Sequence, residues 1–403
     1  KQYNLLRQVL FFYVFDSLRN DVVDMIVSQR VIDGFSFMPG YIYDVYLNFQ
    51  ASGSISALLL NDGPYRYYDL TANTILNMDG QNVENFHTSN CYIITPDIKY
   101  DSNTYYDGYA FLATVAGNGN GGVLSGFDRK TAELEPKRAA LLWESSYGLI
   151  SQVELMFGYV RFRTQKPDSG NYREGNAVIA VYDDDFNVLW SWHIWITDKP
   201  AEIAFNNEIT VLDRNLGATA AYERTSSASA PQYGSLLETY GLYYQWGRKD
   251  PFMGPPEADF KPQSTTSATY FDAYAHEFSS VDVHMETRPT IADAVANPMY
   301  MILPVELSPY YQYDWLYNQA NNLWGYEFSN GLIHKTIYDP CPPGWRVPDG
   351  GTGQNGVQAG LWAKIGMSTY GRTPMPASWQ SGWKGMMFPI SRNGYSSWYP
   401  VAG

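Results

Sequence analysis

Catalysis or metal binding needs nucleophiles, proton carriers or ligands at fixed spacings, and this sequence holds few. Its five histidines stand at 87, 193, 276, 284 and 334. No two have the His-x-x-x-His spacing that would put both on one helix face for a metal. His193 lies inside an apolar run and is expected to be a packed histidine. There is no Gly-x-Ser-x-Gly nucleophile turn and no Gly-x-x-x-x-Gly-Lys phosphate loop. Gly117-Asn-Gly-Asn-Gly-Gly122 resembles a nucleotide loop in composition only and reads as a flexible hairpin tip. Asp183-Asp-Asp185 could offer oxygens to Ca²⁺, but adjacent carboxylates on a short turn cannot converge on one ion. A solvated turn is the expectation there. Among 41 Asp and Glu, no acid–base pair for sugar hydrolysis can be singled out. The expectation is a non-enzyme, with no catalytic residue, no metal site and no cofactor.

Aromatic residues are the surplus: 16% of the chain, with 34 Tyr and 12 Trp. Sugar C–H groups stack on the negative face of such rings, and protein cores use the same residues. Trp345, Trp362, Trp379, Trp383, Tyr395 and Trp398 crowd the end of the chain. At any one of them core packing is the commoner role. The candidate ligand-binding set is Trp379, Trp383, Tyr395 and Trp398. In Ala377-Ser-Trp-Gln-Ser-Gly-Trp-Lys384 the flanking Gly and Ser point to exposure of Trp379 and Trp383.

The elements that must position these residues are mostly strands. Hydrophobic residues make 45% and charged residues 17% of the 403, enough for a large core and too apolar for disorder. The formal net charge of −14 disfavours nucleic acid and anionic bilayers as partners. No apolar run approaches the roughly 18 residues of a membrane-spanning helix. The chain opens at Lys1-Gln-Tyr without a signal peptide and reads as a mature, processed or trimmed form. Cys91 and Cys341 are too few for a disulfide framework. Two separate buried thiols are favoured over a bridge, because free cysteine is often buried.

Leu10–Phe15 reads as a buried strand, and Tyr41–Phe49 alternates with period two. Asn176–Tyr182 and Val188–Thr197 flank Asp183–Asn187, a five-residue hairpin loop. Trp190, Trp192 and Ile194 share one face, His193 and Trp195 the other, which marks a central strand. Tyr159–Thr164 alternates too, placing Arg161 and Arg163 toward solvent. After Lys199-Pro-Ala-Glu202 the texture changes. Ser235-Leu-Leu-Glu238 and Thr290-Ile-Ala-Asp293 are capping boxes opening short helices, the first through Tyr244, the second before Pro298. Val357, Leu361, Trp362 and Ile365 have helical spacing. The expected organisation is a β-sandwich module over 1–52, either incomplete or leaning on its neighbour, a connector over 53–84, a β-sandwich domain over 85–200 and an irregular α+β domain over 205–403.

Three sets of residues carry a resemblance. The first is Ser89-Asn-Cys-Tyr-Ile-Ile94 with Glu174-Gly-Asn-Ala-Val-Ile-Ala180 and Leu189-Trp-Ser-Trp-His-Ile-Trp195. The second is Val211-Leu-Asp-Arg-Asn-Leu-Gly-Ala218 with Gly241-Leu-Tyr-Tyr-Gln-Trp-Gly-Arg-Lys-Asp-Pro-Phe252. The third is Tyr338-Asp-Pro-Cys-Pro-Pro-Gly-Trp-Arg-Val-Pro348. Together they resemble fimbrillin-like surface proteins of Bacteroidetes, of the fimbrium-tip type. The last two sets also resemble the Fibrobacter major paralogous domain, whose signature is similar to that of C-type-lectin-like folds. The resemblance implies a mainly β protein: N-terminal β-sandwich modules, then a lectin-like α+β domain. It implies a cell-surface adhesin or fimbrial tip or accessory subunit, exported as an outer-membrane-associated lipoprotein. Its partners would be other fimbrial subunits, joined by strand addition at an open sheet edge, and a glycan or host-protein ligand. A carbohydrate-binding protein of a glycan-uptake system is the alternative. The lectin calcium triplets Glu-Pro-Asn, Gln-Pro-Asp and Trp-Asn-Asp are missing, so calcium-dependent sugar binding is not implied.

Overall fold

The computed structural model describes residues 10–16, 21–28, 61–62, 65–71, 89–95, 108–117, 133–164, 173–205, 209–224, 236–254, 269–278, 281–306, 314–318, 320, 322–327, 333–348, 379–380, 385–388 and 396–400. The chain forms two compact units, Lys1–Arg66 and Tyr67–Gly403.

In the first unit, β1 (Leu10–Asp16) and β2 (Asp21–Ser28) form an antiparallel hairpin with a register shift at Val14/Phe15. The apolar run of β1 makes a strand, and the polar stretch after it makes the reversal. Tyr41–Phe49 lies outside the described residues. Within the stretch expected as a connector, β3 (Asn61–Asp62) pairs with the start of β4 (Tyr65–Asp69).

The second unit continues with β5 (Cys91–Ile94), β6 (Gly108–Leu112), β7 (Arg138–Glu144), β8 (Ile150–Met156), β9 (Tyr159–Thr164), β10 (Gly175–Tyr182) and β11 (Val188–Ile196). Shorter pieces follow: β12 (Glu202–Phe205), β13 (Ile209–Leu212), β14 (Tyr222–Arg224), helix α1 (Leu236–Tyr240), β15 (Tyr270–Asp272), β16 (Glu277–Phe278) and β17 (Val283–Glu286). Then come helix α2 (Ile291–Ala296), β18 (Met301–Pro304), β19 (Gly325–Glu327), β20 (Ile333–Lys335), β21 (Trp379–Gln380), β22 (Gly385–Phe388) and β23 (Ser396–Pro400). The protein is mostly β.

One sheet runs β4-β6-β9-β8, with β4 parallel to β6 and the rest antiparallel. The other has the order β16-β15-β7-β10-β11-β5, with only β11 and β5 parallel. Their inward side chains share one core. Phe111 of β6 stands 5.1 Å from Trp192 of β11 and 5.2 Å from Tyr92 of β5, ring centre to ring centre. Val160, Phe162, Ile179, Val181 and Ile194 complete it. The expected hairpin of β10 and β11, with its five-residue loop, is present. Asp183 accepts hydrogen bonds from Asp185 N and Asn187 N there, as a solvated turn should.

The boundary expected at 200–205 does not separate compact units. β15, from the far side of it, pairs with β7 through Phe271 and Glu144. Trp143 and Val178 on the second face of the large sheet share a smaller core with Leu242, Met253 and Tyr270. A strand buried on both faces needs cover on both, and the later residues supply it.

Arg161 corrects the solvent-facing expectation. It is 1% exposed. Its guanidinium pairs with Glu154 and lies 4.6 Å from the centre of the Tyr67 ring. Alternation sets which face a side chain takes, and a cation–π and carboxylate cover made that face interior. Both helices are short. Thr290 caps α2, with the reciprocal bonds of a capping box between Thr290 and Asp293. α1 ends at Tyr240 and not Tyr244, because Gly241 takes φ +76°, a left-handed C′ position. Residues 357–365 and the tip beyond Gly117 lie outside the described residues. Cys91 and Cys341 are free and buried.

His193 sits on the second face of β11, 1% exposed. Nε2 is 2.9 Å from Asn176 Oδ1. The Asn176 amide nitrogen already donates to Gly217 O at 2.9 Å, so His193 Nε2 is the donor. Nδ1 has no partner among the described residues. Protonating it would bury a charge with an unmatched N–H, and burial lowers its pKa from 6.5 to about 3. Between those values the unfolded chain binds a proton that the folded chain refuses. Stability therefore falls as pH drops from 6.5 toward 3, by about 1.4 kcal/mol per unit. In urea titrations, the stability advantage of wild type over His193→Gln should shrink across that range. An advantage that does not change with pH would contradict the assignment.

Candidate functional site

The second face of β11 presents Ser191, His193 and Trp195, and polar loops come down onto it. Lys249 Nζ donates to Ser191 Oγ and lies 2.5 Å from Asp250 Oδ1. Ser191 Oγ donates to the same carboxylate oxygen at 2.5 Å. The ammonium also sits 4.6 Å from the centre of the Trp190 ring. Burial lowers the Lys249 pKa, while Asp250 opposes the shift. A serine beside a lysine of lowered pKa has the elements of an activated nucleophile. Here Lys249 and Asp250 are each 3% exposed and Ser191 2%, so no substrate reaches the hydroxyl. The group is a desolvated ion pair holding loop to sheet.

The other motif residues do similar work. Arg214 donates from Nε to Asp213 at 2.8 Å and from Nη1 to Asp198 at 2.5 Å. Burial pulls its pKa down, but the two carboxylates outweigh burial and the net shift is upward. Trp195 Nε1 donates to Ala218 O at 3.1 Å. Lys335 Nζ lies among the carbonyl oxygens of Cys341, Pro342 and Trp345, with Ser89 Oγ at 3.3 Å and Asp339 Oδ1 at 3.5 Å. Asp339 in turn accepts from Cys341 N and Val347 N, at 2.7 and 2.8 Å. Asn90 donates to Ile337 O and Asp339 O and accepts from Trp190 Nε1. The Asp-Arg, Arg-Lys-Asp and Asp-Pro-Cys signatures are interior polar networks.

Of the expected ligand-binding residues, Trp379 lies on β21 opposite Met386, and Trp398 on β23 opposite Tyr222 and Met387. All belong to one sheet of order β14-β23-β22-β21. Their side chains, and Trp383 and Tyr395 altogether, lie outside the described residues.

Exposed aromatic surface occurs elsewhere. Trp246 is 55% exposed, while every other tryptophan with described exposure is buried or half-buried. It stands in a four-residue turn, closed by Arg248 N donating to Gln245 O at 2.9 Å. Gly247, the third residue, takes φ +84°, and a Cβ there would meet Leu323 Cδ1 at 2.8 Å. The Gln245 side-chain amide pairs with Ile302 N and O, both at 2.9 Å, much as another strand would. Arg248 donates to Gln245 Oε1 and to the carbonyls of Tyr300, Ala294 and Asn297. Trp315 Nε1 donates to Trp246 O at 2.6 Å, and Trp324 Nε1 to Arg248 O at 2.9 Å. Trp324 packs against Trp246, 4.7 Å between ring centres. Tyr300 is 39% exposed, its ring 5.9 Å from that of His284. Sequence reasoning missed this shelf because the crowding of tryptophans points to the end of the chain, whereas Trp246 stands alone between Gln245 and Gly247-Arg-Lys-Asp250. The Gln-x-Gly turn signal there was the available clue.

No known protein family, curated protein or solved structure matches the chain.

Asp250→Asn would leave the Lys249 ammonium buried without its counter-charge and should cost about 3–5 kcal/mol of unfolding free energy. Lys249→Met combined with Asp250→Leu should cost clearly less than the two single changes summed. Additive losses in urea unfolding would show that the pair is not coupled.

Proposed function

We propose that this chain is a cell-surface adhesin or fimbrial tip or accessory subunit, with a lectin-like ligand-presenting part over 205–403. The observation that carries the reading is Trp246. A large ring is held outward by a turn whose other groups are fastened inside the protein, at a cost no core requires. The residues behind the fimbrillin and paralogous-domain resemblance also support it. They are the residues that fasten loops to the sheet, which a shared fold would need to keep. Strand addition finds support in the sheets. β5 and β8 end their sheets with no further described strand beside them, and such edges template the pairing of another chain. No helix among the described residues is long and apolar enough to cross a membrane.

The alternative, a carbohydrate-binding surface protein of a glycan-uptake system, draws on the same exposed tryptophan and does without the open edges. Immunogold labelling of isolated fimbriae by the intact chain separates the two readings, and deleting residues 1–50 tests that region's part in attachment. Incorporation into isolated fimbriae should be lost, as read by immunogold labelling. Unchanged incorporation would contradict an attachment role for that region, and no labelling of fimbriae by the intact chain would favour the alternative.

A further inference from the structure

We propose that the Trp246 shelf is a binding site for a neutral pyranose of a glycan chain. The inference rests on the reading of the chain as a surface recognition protein, and it names the ligand class of that site.

Trp246 offers an open indole face, backed by Trp324 at 54° to it. A pyranose ring presents a patch of C–H groups that matches one indole face in area and in charge. The Trp246 indole N–H donates to no described residue and is free for a sugar hydroxyl. Polar planar groups, which pair well with vicinal hydroxyls, lie on the same frame. By strand alternation Tyr300 and His284 share the face of the β17–β18 ribbon that carries buried Ile302, the residue Gln245 clasps. His284 Nε2 is 2.8 Å from Glu286 Oε1, and both side chains are partly exposed. Asn322, two residues before Trp324, is exposed as well.

The frame explains how weak stacking becomes useful. Gln245, Gly247 and Arg248 fix the turn through buried bonds, so the ring loses little freedom on binding. Charge selects the sugar class. Asp282 and Glu286 lie on or just beside the ribbon, nearby Arg288 is paired with Glu306 at 2.6 Å, and the whole chain carries −14. Sialylated or sulfated chains would meet repulsion, and neutral hexose chains would not.

The test is a printed array of neutral glucose, galactose, mannose and xylose oligosaccharides with sialylated and sulfated counterparts, probed with the full chain. Wild type should bind one or more neutral series. Trp246→Ala should lose about tenfold or more in affinity with an unchanged melting temperature, and Trp246→Phe should keep part of the binding. Equal binding by Trp246→Ala, or binding confined to the acidic glycans, would overturn the proposal. So would capture of a protein partner through Trp246 with no array signal. If wild type binds nothing on the array yet enters fimbriae, the sugar assignment falls and the adhesin reading stands. If it does neither, both fall.

Discussion

The second unit depends on how the back of β11 is desolvated. One face of this strand sends Trp190, Trp192 and Ile194 into the apolar core between the sheets. The other carries Ser191, His193 and Trp195, each 2% exposed or less. Polar atoms placed there lose water and must find partners within the protein. Asp250 and Lys249 serve Ser191, Asn176 serves His193, and the Ala218 carbonyl serves the Trp195 indole. Three of these four partners arrive from beyond residue 200. The sheet and the loop-rich remainder are therefore bound by mutual need, and neither satisfies its buried groups alone.

The same logic explains how a region with short strands and brief helices keeps its shape. Little regular hydrogen bonding holds residues 236–254 or 333–348. Side chains replace it: Arg248 donates to the last carbonyls around α2, Lys335 donates to those of the Cys-Pro-Pro-Gly-Trp turn, and Asp339 accepts from the N–H groups of Cys341 and Val347. Buried charges of this kind add little net stability but specify one arrangement, since any other leaves an ion unpaired. Loops fastened from inside can hold side chains outward in fixed positions, and Trp246 is where this becomes visible.

Much of the strand pattern was legible. The β10–β11 hairpin follows from two β-rich runs around Asp183–Asn187, and the burial of both faces of β11 from aromatic residues at odd and even positions. The Thr290–Asp293 box announced α2. Other features depend on partners distant in sequence. Arg161 reads as solvent-facing until Tyr67 and Glu154 cover it. Phe271 gives no local sign that it pairs with Glu144, which is 127 positions earlier by number (271 − 144). For the site, periodicity could not rank the tryptophans. Exposure of Trp246 results from its turn geometry and from Leu323, Ile302 and Trp315 filling the space beneath, none of which is near it in sequence.

Native-state hydrogen exchange tests the dependence of loops and sheet on each other most directly. The amides of β10 and β11 and those of residues 242–252 and 335–347 should open together, with the same free energy and the same denaturant slope. Exchange of the loop amides through a separate opening of much lower free energy, with the sheet amides still protected, would contradict it.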